Sequence, residues 1–155
     1  MYNRQKVYDY AKKWAYSRNP NYYNFDLLGG DCTNFVSQCI FSGCYQMNYN
    51  GDKGWYYING NNKSPSWTVV EFLYNFLLLN KGVGPKGKNV NVQDLEVGDV
   101  IQLSFDGIKF SHSLIVVQKG TNIDNTLIAA HTYDVFGKSV AEYGFKKYRC
   151  IHIKL

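Results

Sequence analysis

The sequence contains four cysteines and three histidines, and Cys32 has the position best suited to chemistry. In the stretch GGDCTNFVSQC, Asp31 is a predicted helix N-cap, and Cys32 begins a run with helical spacing. Unpaired N–H groups and the helix dipole favour an anion in a first helical turn, so a thiolate there would be stabilised. The same N–H groups could hold the oxyanion formed when a carbonyl is attacked. The alternative is that Cys32 is a small buried residue beginning a core helix.

Two histidines lie at the ends of predicted strands. His112 begins HSLIVVQ, a run so apolar on both faces that it predicts a central strand with the imidazole at its rim. His131 ends TLIAAHT, and an antiparallel hairpin would bring it beside His112. The histidine nearer Cys32 could then act as general base while the other orients it. His152 alternates with apolar residues and is predicted to lie on the surface.

A zinc site built from Cys32, Cys39, Cys44 and a histidine is disfavoured. The spacing has no C-x2-C pair, and Cys32 and Cys39 fall within one helix. We therefore expect no metal and no other cofactor. If one cysteine is catalytic, the remaining three, which include Cys150, allow at most one disulfide.

The elements predicted along the chain indicate an α+β fold. Apolar spacing predicts one helix over residues 4–16, a second from Cys32 to a stop at Gly43, and a third beginning at Pro65 with Ser64 as N-cap. Residues 45–63 read as a long loop. After residue 95 the pattern changes to short β-rich runs: DVIQLSF, HSLIVVQ, TLIAAHT and YRCIHIKL. Helices followed by consecutive strands predict N-terminal helices on a C-terminal antiparallel sheet, in one domain spanning 1–155.

Composition limits the classes of partner. The 155 residues are 45% hydrophobic and 19% charged, which is typical of a globular domain. The net charge of +5 comes from scattered basic residues, apart from a short cluster near the end, so no nucleic-acid partner is expected. No apolar run is long enough to span a membrane, and the opening residues are too polar for a signal peptide. We expect a monomer. The 14 tyrosines and 9 phenylalanines suit either a core or a cleft for sugars or peptides.

Several stretches, in order, resemble one known family: YAKKWAYSRNPNYYNF, GGDCTNFVSQC, GW, SPSW, GVGP, VGDVIQ, HS and AAHT. Together they are similar to the amidase-domain family with the GGDCTNFVSQ signature, which belongs with the papain-like cysteine hydrolases near the NlpC/P60 and CHAP cell-wall enzymes. The resemblance runs from about residue 4 to the C-terminus. It implies a papain-like fold with Cys32 as nucleophile, His112 as base and His131 as the third polar residue. Asp134 and Asn125 are the fallback candidates for that third role.

The resemblance also implies a substrate. Tyr22 or Tyr23 resembles a tyrosine lining the cleft of the relatives, and Asp31 and the loop holding Trp55 are further candidates for substrate contact, whereas Trp67 fits either the core or a cleft wall. The implied activity is cleavage of an amide in bacterial peptidoglycan, at the muramyl–L-alanine bond or within the stem peptide. Two alternatives stay open: a non-catalytic wall-binding module, and an acyltransferase or peptidase with another substrate. The implied location is extracellular or in the cell wall, as part of a longer secreted protein or a lytic enzyme.

Overall fold

The computed structural model describes residues 1–155 and has the α+β architecture expected from the sequence, with four helices before an antiparallel six-stranded sheet. The helices are α1 (Arg4–Trp14), α2 (Cys32–Cys44), α3 (Pro65–Thr68) and α4 (Val70–Leu79). A small hairpin pairs β1 (Tyr57–Asn59) with β2 (Asn62–Lys63). The main sheet comprises β3 (Lys86–Val90), β4 (Val100–Ser104), β5 (His112–Gln118), β6 (Leu127–Ala130), β7 (Val135–Ser139) and β8 (Lys147–Lys154).

The strands of the main sheet run in the order β3-β8-β4-β5-β6-β7. β5 lies between β4 and β6, so the expectation that this apolar run forms a central strand is confirmed. Ile115 lies opposite Val100 on one side and Ala129 on the other, and all three face the helices. Leu114 points the other way, into a second buried cluster with Ile128 and Val140. Both faces of the sheet are therefore covered, with the helices on one side only.

Helix α2 crosses the helix-covered face and is buried along almost its whole length. It packs on β5 and against α1. Gly43 does not end it as expected; α2 continues to Cys44 and ends at Tyr45, which has a positive φ of 52°. Gly43 instead allows α1 to approach, because a Cβ there would lie 2.6 Å from the Val7 side chain and 2.8 Å from the Tyr2 ring.

Two other regions differ from their predictions. Residues 45–63 are not an unstructured loop, since they contain the β1–β2 hairpin and a 3₁₀ turn at Gly51–Lys53. The predicted third helix is interrupted at Val69, whose extended backbone (φ −116°, ψ 126°) separates α3 from α4. Strands β3 and β7 were also missed, because neither KGKNV nor VFGKS has the apolar alternation typical of strands.

All four cysteines are free thiols. His152 was predicted to lie on the surface, but its side chain is only 22% exposed, and its Nδ1 lies 2.8 Å from Oδ2 of the buried Asp99. The same carboxylate receives a 2.7 Å hydrogen bond from Arg4. Asp99 thereby links the first helix to the last strand.

Candidate active site

Cys32 occupies the first position of α2, with Asp31 as the N-cap residue. The preceding glycines, Gly29 and Gly30, have φ values of 86° and 96°, which side chains rarely tolerate. They bring the backbone into the first turn of the helix without covering the thiol. Cys32 remains 8% exposed and faces open space at the rim of the sheet.

Burial determines the protonation state of this thiol. Desolvation raises the pKa of Cys32 above its ordinary value, while hydrogen bonds from the Ser113 and Thr33 backbone N–H groups and the Thr33 hydroxyl act in the opposite direction. The expectation that the helix N-terminus leaves a thiolate is therefore not met: the resting group is a thiol. The Thr33 hydroxyl also contacts the Ser113 hydroxyl at 3.0 Å, which fastens the start of α2 to β5.

Two cavities meet at Cys32. One, of about 440 Å³, lies toward α4 and is lined by Phe25, Thr33, Lys63, Val69, Glu71 and Lys109, among others. The other, of about 410 Å³, lies toward the β6–β7 turn and is lined by Phe105, His112, Thr132, Lys138, Glu142 and Tyr143, among others. Both include Gly29, Gly30, Cys32 and Ser111, so together they form one cleft that crosses the thiol. We call them the α4 cavity and the Tyr143 cavity.

His112 is the first residue of β5 and lines the Tyr143 cavity with Cys32. Its ring packs beside Phe105 and Tyr143, at centroid distances of 6.3 and 5.6 Å. Desolvation, with the charge of Lys138, lowers the pKa of His112 to about 4. The imidazole is therefore neutral near pH 7 and able to accept a proton. The imidazole makes no hydrogen bond to the Cys32 thiol. The Cys32 Sγ atom instead lies 3.7 Å from the Thr33 hydroxyl oxygen.

The structure does not place the two histidines side by side. Ile115 and Ala129 are paired and face the helices, and His131, two residues past Ala129, continues on that side. His112 lies an odd number of residues from Ile115 and so faces the other side of the sheet. The Nδ1 atom of His131 lies 2.5 Å from Asp31 Oδ2, and its Nε2 atom lies 2.8 Å from the Trp14 carbonyl oxygen. Its ring stacks on Phe35 at 3.9 Å. Both nitrogens are thus engaged away from His112, so His131 cannot orient it as expected.

Asp31 is fully buried and does not line the cleft, which contradicts its expected contact with substrate. One carboxylate oxygen binds His131, and the other accepts 2.9 Å hydrogen bonds from the Phe25 backbone and the Asn34 side chain. The two ring nitrogens of His131 thus face two oxygen atoms, one from the Asp31 carboxylate and one from the Trp14 carbonyl. Asp31 and His131 are a buried pair that holds the start of α2 in place.

The other candidates lie outside the cleft. Trp55 is fully buried, and its indole N–H donates to the Ser37 hydroxyl at 3.1 Å, so it belongs to the core. Trp67 is equally buried. Tyr22 packs on Trp67, and Tyr23 is half-exposed beside Phe25; neither lines either cavity.

Neither fallback residue for the third role contacts His112. Asp134 forms an ion pair with Arg18 at 2.9 Å. The Asn125 side chain closes its own turn by accepting hydrogen bonds from the backbone of Thr121 and Asn122.

No pattern in the sequence indicates the wall of the Tyr143 cavity opposite Cys32. Its residues come from the segment around β7, where the pattern gives no strand signal. Thr132 and Tyr133 form the β6–β7 turn with φ values of 64° and 56°, although such turns prefer Asn and Gly. Two consecutive side chains with positive φ are costly, and such strain concentrates at functional sites.

A larger cavity of about 610 Å³ lies along the exposed side of α4 and is rich in asparagine. It shares no lining residue with the cleft and contains no cysteine or histidine, so the candidate chemistry stays with Cys32. No group of three or more His, Cys, Asp or Glu side chains is arranged to hold a metal ion. None of the helices has the length and apolar character needed to cross a bilayer.

Comparison with known proteins identifies the family. Residues 1–153 match the family described as "Putative amidase domain". The chain belongs to this amidase-domain family. It is also 36% identical over 138 residues to the uncharacterized protein YhbB of Bacillus subtilis (strain 168). That match covers 86% of this chain and 42% of YhbB, so the chain spans about two-fifths of the length of this relative. No solved structure matches the chain. Membership of the amidase-domain family indicates a hydrolase that acts on amides.

Proposed function

We propose that this amidase-domain protein is a cysteine hydrolase that cleaves an amide bond in bacterial peptidoglycan, with Cys32 as nucleophile and His112 as general base. The observation that carries the proposal is the shared cavity. Cys32, at a helix N-terminus, and a neutral, buried histidine line the same cleft. Cys150 also lines a cavity, but no histidine lies there. A thiol and a base facing one space are the minimum set for acyl transfer through a thioester.

The first half of the reaction forms the acyl-enzyme. His112 takes the Cys32 proton as Sγ attacks the carbonyl carbon, so that the S–C bond forms and the carbonyl π electrons move to oxygen. Collapse of this intermediate breaks the C–N bond, and the imidazolium gives its proton to the departing amine. The thiol and imidazole are not hydrogen-bonded in the free protein, and such contacts often tighten only in the substrate complex.

The second half releases the product. Water attacks the thioester while His112 accepts one of its protons, and a carboxylic acid leaves as the proton returns to sulfur. Because burial raises the pKa of Cys32 and lowers that of His112, both groups begin and end the cycle neutral at pH 7.

Charge in the cleft supports an acidic peptide as substrate. Both carboxylates lining it are already paired, Glu71 with Arg149 at 2.9 Å and Glu142 with the Ser139 backbone N–H at 3.1 Å. The ammonium groups of Lys109 and Lys138 make no hydrogen bond or ion pair within the chain, and one lies in each cavity. A peptide with carboxylates on both sides of the scissile bond would complement them. Peptidoglycan stem peptides fit this description, which is consistent with an extracellular or cell-wall location.

The test is product analysis by mass spectrometry. Purified peptidoglycan is digested with the intact chain and, in parallel, with Cys32→Ala. Glycan strands freed of peptide only with the intact cysteine would identify a muramyl–L-alanine amidase, and new peptide amino termini on substituted glycan would identify an endopeptidase. The absence of any Cys32-dependent product across several wall types would contradict the proposal and favour a wall-binding module or another substrate.

A further inference from the structure

The Tyr143 hydroxyl is the single buried side-chain nitrogen or oxygen in the chain without a hydrogen-bond partner. Tyr143 follows the 3₁₀ turn at Val140–Glu142 and lines the Tyr143 cavity with Cys32 and His112. Native proteins rarely leave such a group unsatisfied, since the lost hydrogen bonds to water are not replaced. An orphan donor beside a nucleophile therefore points to a partner that arrives with the substrate.

Its surroundings hold the phenol ring in place. Lys138 Nζ lies 4.1 Å from the ring centroid on one side, and the His112 ring packs beside it at 5.6 Å. The turn before Tyr143 is closed by a capping box between Ser139 and Glu142. The hydroxyl is thus presented from a fixed ring, which is the preorganisation that stabilisation of a developing charge requires.

We propose that Tyr143 is a catalytic residue whose hydroxyl donates a hydrogen bond to the carbonyl oxygen of the scissile amide and holds the oxyanion of the tetrahedral intermediate. The residue belongs to the same reaction as Cys32 and His112, so this role rests on the proposed function. Burial raises the pKa of Tyr143 to about 12, and the neighbouring Glu142 carboxylate acts in the same direction, so the hydroxyl stays a donor throughout the neutral range. A second donor is available in the first turn of α2, whose leading N–H groups have no partner within the helix.

The test is Tyr143→Phe, which removes only the hydroxyl. We expect kcat on peptidoglycan to fall by about 100-fold with KM nearly unchanged, as for loss of one oxyanion donor. The thermal midpoint should stay the same or rise, because the lost hydroxyl has no partner in the free protein. A purely structural tyrosine would show the reverse, with lower stability and little change in kcat. Tyr148→Phe is the matched control, since Tyr148 is a partly exposed tyrosine that lines neither cavity.

Alkylation of Cys32 by iodoacetamide separates this role from activation of the thiol. Alkylation forms no oxyanion, so Tyr143→Phe should leave its rate unchanged. A matching fall in alkylation rate would overturn the oxyanion role, as would a kcat within about twofold of the intact chain. Loss of turnover in Cys32→Ala on the same substrate is established first. If Cys32→Ala keeps its turnover, the proposed function and this role are both overturned. If turnover depends on Cys32 but survives in Tyr143→Phe, only the role of Tyr143 is overturned.

Discussion

At the scale of single residues, the site is defined by two groups that burial keeps neutral. A helix N-terminus alone would favour a thiolate at Cys32, but desolvation outweighs it and raises the pKa. His112 loses hydration in the same cavity, and the nearby Lys138 charge adds to the effect. In the proposed mechanism, His112 is therefore a free base while the Cys32 thiol is still protonated, so the proton would move as sulfur attacks.

The buried His112 should make stability depend on pH. Its pKa is about 4 in the folded chain, against an ordinary value of 6.5. The unfolded chain therefore binds more protons between these values, and the free energy of unfolding should fall by about 3 kcal/mol as the pH drops from 6.5 to 4. The stabilisation is complete above pH 6.5.

Urea denaturation at several pH values measures this dependence. In His112→Gln, the free energy of unfolding should fall much less as the pH drops. In His152→Gln, which replaces a partly exposed histidine away from the cleft, it should fall as in the intact chain. A decline of equal size in His112→Gln and the intact chain would show that His112 does not cause it.

At the scale of elements, two contacts fix the start of α2, and a third joins one of its partners to α1. Thr33 joins it to β5 through Ser113, and Asp31 joins it to His131 at the end of β6. The Trp14 carbonyl, at the end of α1, accepts from the other His131 nitrogen. These contacts position Cys32, the proposed nucleophile, and His131 acts within them as a structural residue.

Removal of His131 should therefore act mainly on stability. His131→Ala leaves the fully buried Asp31 without its closest partner, and breaking a buried pair in this way costs roughly 3 kcal/mol. His152→Ala removes a comparable carboxylate partner from a partly exposed site, where the loss should be about 1 kcal/mol. Chemical denaturation of both variants measures the difference. Equal losses would indicate that the Asp31–His131 contact has no special role in the fold.

At the scale of the whole molecule, the termini are joined through Asp99. The Arg4 guanidinium donates to Asp99, to the Val97 carbonyl and to the Ile153 carbonyl, at 2.7–2.8 Å. These bonds connect α1 to β8 and to the loop before β4. They hold together elements that are about 150 residues apart in sequence.

Arg4→Met keeps much of the aliphatic volume and removes all three hydrogen bonds. We expect a loss of roughly 2 to 3 kcal/mol in the free energy of unfolding, because Asp99 and two carbonyls lose a charged donor. Lys12→Met, on the exposed side of the same helix, is the control and should change stability by less than about 0.5 kcal/mol. A similar effect in the two variants would contradict the importance assigned to this contact.

The sequence predicted the elements with strong periodicity and missed those without it. The apolar run of β5 and the cysteine-bearing helix α2 were recognised because their spacing is regular. The break at Val69 depends on tertiary packing, and β7 has a weak pattern that pairing with β6 stabilises.

The sequence predicted that Cys32 and His112 lie near each other, but it did not predict on which face of the sheet each histidine lies. Sequence order brings the ends of β5 and β6 together, but the register decides which face each side chain takes, and it separates His112 from His131. The roles proposed for Tyr143 and Lys138 depend on a cavity wall that no local sequence pattern reveals.

The decisive measurement is the rate of amide cleavage in peptidoglycan by Cys32→Ala, with Cys39→Ala as matched control. Cys39 lies two turns along the same helix, is fully buried and lines neither cavity, so its replacement preserves the cleft. If Cys32 is the nucleophile, Cys32→Ala should lose at least about 1,000-fold in rate, whereas Cys39→Ala should change the rate by at most about threefold. Cleavage by Cys32→Ala at a rate comparable to the intact chain would contradict a mechanism through this thiol.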